Sequence, residues 1–127
     1  VPLSFLAALV LLNVSGNAQE GVVETPAPLP SAVRCAALFS LTHETLSGKS
    51  GDPAMTAGFA EDAAALRRIV IAGEAPAPDA EARADAAIAI EKKALVAEQA
   101  KRTARGDETT EDLNPCYRVK ALGPRGE

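Results

Sequence analysis

The chain has 127 residues, 17 Asp and Glu against 13 Lys and Arg, and a formal charge of −4. No basic cluster interrupts that mild acidity, so the electrostatic footprint of a nucleic-acid binder is missing, as is the polybasic segment that would hold an anionic membrane surface. About a fifth of the residues are Ala and none is Trp, a composition that favours helix but gives few large side chains to a core, so a covalent staple or a partner has to add stability.

Pro2 to Leu12 is an almost unbroken apolar run, and Asn13 to Ala18 turns small and polar. That order matches the core and cleavage region of a secretory signal peptide, with Gly16 and Ala18 as the small residues before the cut. The run is well short of the about 20 apolar residues that a membrane span needs. A signal over 1–18 is therefore expected, with cleavage after Ala18 and a periplasmic or secreted mature protein of about 110 residues, one small domain. No cysteine follows the run closely enough for lipidation, so no stable membrane insertion is expected after cleavage.

Residues 19–31 read as a flexible leader, because Pro26, Pro28 and Pro30 stand on alternate positions without apolar periodicity. The helical domain is expected over 32–122. Ser31 is a good N-cap for a first helix running to about Ser47, where Gly48 ends it. Cys35, Leu38, Phe39, Thr42 and Leu46 share one face of that helix, which turns Cys35 toward the core. After a Gly- and Ser-rich turn, Asp52-Pro53 gives a strong start for a second helix. It carries Met55, Phe59, Ala63, Leu66, Ile69 and Val70 at helical spacing and ends at Gly73.

Asp79 is expected to cap a third helix over Ala80–Arg105, with acids at its start and Lys101, Arg102 and Arg105 at its end, as the helix dipole favours. Asp79–Arg83 and Glu98–Arg102 are spaced as favourable pairs. Two apolar stripes run along it, Ala84/Ile88/Leu95 and Ala86/Ile90/Ala94/Ala97. They predict a helix covered on two sides by neighbours, the competing reading being a second stripe left for a partner. Asn114-Pro115 repeats the cap-then-proline signal and opens a short helix with Cys116 and Val119, stopped by Gly123-Pro124. Residues 123–127 form a flexible tail. The reading is all-α, three main helices and a short fourth.

Cys35 and Cys116 are the only cysteines. Neither belongs to a CxxC, and a zinc site needs three or four ligands, so in an oxidising compartment they are expected to form a structural disulfide. His43, the single histidine, lies off the apolar face and reads as solvent-facing. It cannot meet the adjacent Glu44, which points about 100° away on the helix. Glu61, Asp62, Glu81, Asp85, Asp107, Glu108, Glu111 and Asp112 lack the pattern of a calcium loop and read as solubility charges. No serine environment resembles a nucleophile elbow, and no glycine-rich loop is placed to cradle phosphate. No catalytic, cofactor or metal site is expected, and an enzyme is not.

An exported helical chain of this size with one long-range disulfide resembles, in general layout, the small periplasmic acid-stress chaperones. No motif around Cys35 or Cys116 is shared, so no residue role is carried over. The sequence reading is a non-enzymatic exported protein that binds a protein partner or supports an envelope assembly. Its rival is a stress chaperone or inhibitor that exposes apolar helix faces.

Overall fold

The computed structural model of the protein describes residues 28–48 and 52–126. The expected signal and most of the Pro-rich leader lie outside the described residues. Within them the chain forms α1 (Ala32–Ser47), α2 (Pro53–Glu74), α3 (Ala80–Ala104) and α4 (Asn114–Leu122), and no strand.

The first two helices start where their polar caps place them. Ser31 accepts a hydrogen bond from the Arg34 amide at 3.0 Å, and Asp52 accepts one from the Ala54 amide at 3.0 Å, with Pro53 in the first turn. The other two starts differ from expectation. Asp79 makes no capping bond; its carboxylate is held by Arg83 Nε at 2.9 Å. Asn114 is already helical and Leu113 precedes it as an uncapped first residue, while the Asn114 amide donates to Asp112 at 3.0 Å. Gly106 (φ 80°) and Gly123 (φ 69°) take the left-handed conformation that ends α3 and α4. The tail expected from 123 begins with a 3₁₀ turn, Gly123–Gly126, set against α2 and α4.

α1 is the central element and touches α2, α3 and α4. The core joins Cys35, Ala36 and Phe39 of α1 to Leu66 and Val70 of α2, Ala84 of α3 and Cys116 of α4. Phe39 and Leu66 are its largest fully buried apolar side chains, each worth about 1.5–3 kcal/mol of transfer free energy. Phe39 meets the rings of Tyr117 and Phe59 at centroid distances of 5.1 and 6.1 Å. Of the α2 stripe, Met55 falls outside the core at 47 % exposed.

A disulfide joins Cys35 to Cys116, with Cα atoms 5.3 Å apart and a sequence separation of 81. Both cysteines are buried in the core cluster. On the chain-entropy account a loop of that size stabilises by about 4–5 kcal/mol, which offsets the small side chains around it.

α3 corrects the expectation of two covered sides. Ala84 and Leu95 are buried and Ile88 is half-buried, but Ala86, Ile90, Ala94 and Ala97 are all exposed. α1 and α2 are the helices that pack against α3, and its second stripe faces away from them. Ile90 is 69 % exposed.

Candidate functional site

The polar side chains form a set of clamps between helices. Arg34 occupies the first turn of α1, where the helix dipole disfavours a cation. Its Nε and Nη2 donate to the two oxygens of Glu111 at 3.1 and 2.8 Å, Nη1 donates to Glu91 at 3.0 Å, and Nη2 also reaches Glu98 at 3.3 Å. One half-buried guanidinium thus ties α1 to α3 and to the loop before α4, and its proton affinity rises chiefly through the bond to Glu111. Arg67 of α2 grips Asp85 at 2.7 and 3.0 Å and Glu81 at 2.6 Å, both on α3. Lys92 pairs with Glu44 across α3 and α1. Lys120 reaches Asp62 at 2.6 Å and secures α4 to α2.

These contacts correct the reading of the acids as solubility charges. Asp62, Glu81, Asp85 and Glu111 are structural partners, while Asp107 and Asp112 accept hydrogen bonds from the backbone amides of Thr109 and Asn114. Glu61 and Glu108 remain exposed. The Arg67 guanidinium holds the Asp85 carboxyl below the usual carboxylate range, and Lys92 does the same for Glu44. The i, i+4 pair Asp79–Arg83 forms, whereas Glu98 turns to Arg34 and leaves Arg102 bonded to Gln99 at 2.8 Å.

His43 is half-buried rather than solvent-facing. Its Nδ1 lies 3.1 Å from the Thr56 carbonyl oxygen, a contact that requires the nitrogen to donate and that fastens α1 to the start of α2. Among the described residues no group of His, Cys, Asp and Glu is arranged to hold a metal ion. No helix among them is long and apolar enough to cross a membrane.

Compared with known families, curated proteins and solved structures, the chain matches none.

Two apolar hollows stand out. One, of about 440 Å³, lies where Leu29 and Pro30 enter the domain, between Ile69 and Val70 of α2 and Val119 and Leu122 of α4. The other is a groove between α1 and the second half of α3. Its deeper part, about 590 Å³, is lined by Leu38, Leu41, Leu46, Leu95 and Val96, with Thr42, Gln99 and Arg102. Leu41, Val96 and Ala100 continue into a shallower part bordered by Lys92 and Lys93. Val96 is 55 % exposed. Arg102 Nε is buried with no hydrogen-bond partner.

Sequence reasoning missed Arg34, Leu41 and Val96, and read Arg102 only as a helix-end cation and a partner of Glu98. Arg34 alone carried a local signal: it is the only cation before Lys49, and it stands at the unfavourable end of a helix.

Proposed function

We propose that this chain is an exported, non-enzymatic helical protein that binds another protein of the bacterial envelope. The observation that carries the reading is the apolar surface of α3. Ile90, Val96 and the alanines beside them stay uncovered, although the chain has few large apolar residues to spare. Contiguous apolar surface rimmed by polar residues is a feature of protein-contact sites. The buried Cys35–Cys116 bridge supports export, since such bonds persist in oxidising compartments. Crosslinking the mature protein in its native periplasm is the direct test. A stoichiometric complex is the expected product, and monomer alone at every crosslinker length would count against the reading. Intact mass should show a chain that begins at Gln19.

A second reading, an acid-responsive chaperone, is favoured by one feature. Each ion-paired clamp ends on a carboxylate: Glu91, Glu98 and Glu111 on Arg34, Glu81 and Asp85 on Arg67, Glu44 on Lys92, Asp62 on Lys120. Loss of these carboxylate charges in acid would weaken the clamps and bare the apolar faces beneath. A hydrophobic dye should then bind strongly near pH 3 while the disulfide stays intact. Unchanged dye binding from neutral pH to that point would exclude this second reading.

A further inference from the structure

We propose that α4 is a redox latch: reduction of the Cys35–Cys116 bridge by a dithiol releases α4 and leaves α1, α2 and α3 folded together. The inference goes beyond the protein-binding reading and does not depend on it.

The contacts that hold the four helices are unevenly shared. Arg34 on Glu91 and Glu98, and Lys92 on Glu44, tie α1 to α3. Arg67 ties α2 to α3 through Glu81 and Asp85, and His43 ties α1 to α2 at the Thr56 carbonyl. None of these contacts involves α4, which packs on α1 and α2 but not on α3. Besides the bridge, α4 is held by Lys120 on Asp62, by Tyr117 against the Phe39 ring and by half-buried Val119. The 3₁₀ turn that follows it also rests on α2. The nine residues of α4 start after Leu113 without a side-chain cap, and a helix that short does not persist alone in water. Upstream, Glu111 stays bonded to Arg34, so the chain remains anchored to that point and swings free only beyond it.

The same helix guards the bond that holds it. Cys35 and Cys116 are 0 % and 1 % exposed, so no thiolate reaches either sulfur while α4 is docked. Undocking of α4, the helix with the fewest non-covalent anchors, is the smallest opening that uncovers the bridge. A thiolate of the dithiol then attacks one sulfur, forming a mixed disulfide and expelling the other cysteine as a thiolate. The second thiol of the reductant displaces the remaining cysteine. Two electrons and two protons end on Cys35 and Cys116, and the reductant leaves as its own disulfide. Release uncovers Phe39, and with it Val33, Ile69 and Val70, which share a hollow with Val119 and Leu122.

The test uses the full mature chain, oxidised, with dithiothreitol as the dithiol. Free thiols are alkylated at intervals and counted by intact mass. Reduction should be at least about a hundredfold slower in buffer than in denaturant, because it waits for α4 to open. Tyr117→Ala should speed it about fivefold or more and Lys120→Gln about twofold. Leu95→Ala weakens α3 away from the bridge and should leave the rate within about twofold of the parent chain.

Hydrogen exchange of the reduced chain, followed by mass spectrometry, reads the released state. Amides of α4 should lose protection while those of α1, α2 and α3 keep it, and a hydrophobic dye should bind at neutral pH. A rate unmoved by Tyr117→Ala, or raised as much by Leu95→Ala, would overturn the latch. So would a reduced chain in which α4 stays protected, in which all four helices lose protection together, or to which no dye binds.

Discussion

The two ends of the bundle are built on different terms. Around the disulfide, α1, α2 and α4 converge on Cys35, Phe39, Leu66, Val70 and Cys116, and aromatic contacts and a covalent bond meet in one cluster. Along the far half of α3 only Leu95 is buried, and it stands apart from that cluster. There the fold relies on Arg34, Lys92 and the contact of one helix with another. A small Ala-rich chain cannot fill two cores, so it concentrates its large side chains at the stapled end and leaves apolar surface at the other. Tight packing and exposed apolar surface thereby fall in separate regions.

That contrast can be broken at several points. Its largest expected effect is at the bridge: Cys35→Ser with Cys116→Ser should remove about 4–5 kcal/mol, close to the whole stability of a small domain. Thermal unfolding with and without reductant measures it, and an unchanged melting temperature would mean that the stapled end does not set stability. Leu66→Ala, fully buried in the same cluster, should cost about 2–5 kcal/mol in denaturant unfolding. A cost at Leu95→Ala equal to that at Leu66→Ala would show that the far end is packed as well as the stapled one. Arg34→Gln should cost about 1–3 kcal/mol, because Glu91 and Glu111 are left half-buried without their cation. A value near zero would reduce the clamp to surface decoration.

Acid should act on the clamped helices in a defined direction. Glu44 and Asp85 titrate lower in the folded chain than in the unfolded one. Below the unfolded carboxylate value of about 4 the unfolded state then binds more protons, so stability rises with pH in that window. The contribution is in full force above pH 4 and is lost as pH falls through the lower folded values. Denaturant midpoints measured from neutral pH down to pH 2 should therefore fall. Asp85→Asn should shrink that fall, and an unchanged slope in this variant would remove the Arg67–Asp85 pair from the account. The smallest effect is expected at Ile90→Asp, within about 0.5 kcal/mol of the parent chain, since the side chain already faces water.

Local signals carried much of the architecture. Ser31, Asp52-Pro53 and the glycines at 48, 106 and 123 mark helix ends because a cap acts within three or four residues of itself. Cys35 and Cys116 were legible as a pair because no other thiol competes. Asp79 and Asn114 misled because a cap competes with other partners: Arg83 took the first, and Asp112 turned the chain before the second could act. The clamps were illegible for a plainer reason. Arg34 meets residues 57, 64 and 77 positions away, and no spacing rule reaches that far. For the same reason the i, i+4 match of Glu98 with Arg102 failed, since Arg34 from another helix took Glu98 and left Arg102 with Gln99. The open side of α3 depends on how many helices fit against α1. Periodicity shows that two stripes exist, but not which of them finds a neighbour.

The placement of the bridge has a mechanical consequence. Leu29 and Pro30, where the described chain enters, and Leu122, Gly123 and Pro124, near its close, line the same hollow. Cys35 and Cys116 lie a few residues inside those two points. A pull applied through Pro30 and Pro124 is therefore carried across a sulfur–sulfur bond almost at once, and the helices between the two cysteines are shielded from extension. Oxidised, the domain would transmit tension as a short rigid link; reduced, the same segment would pay out as slack chain under the same load.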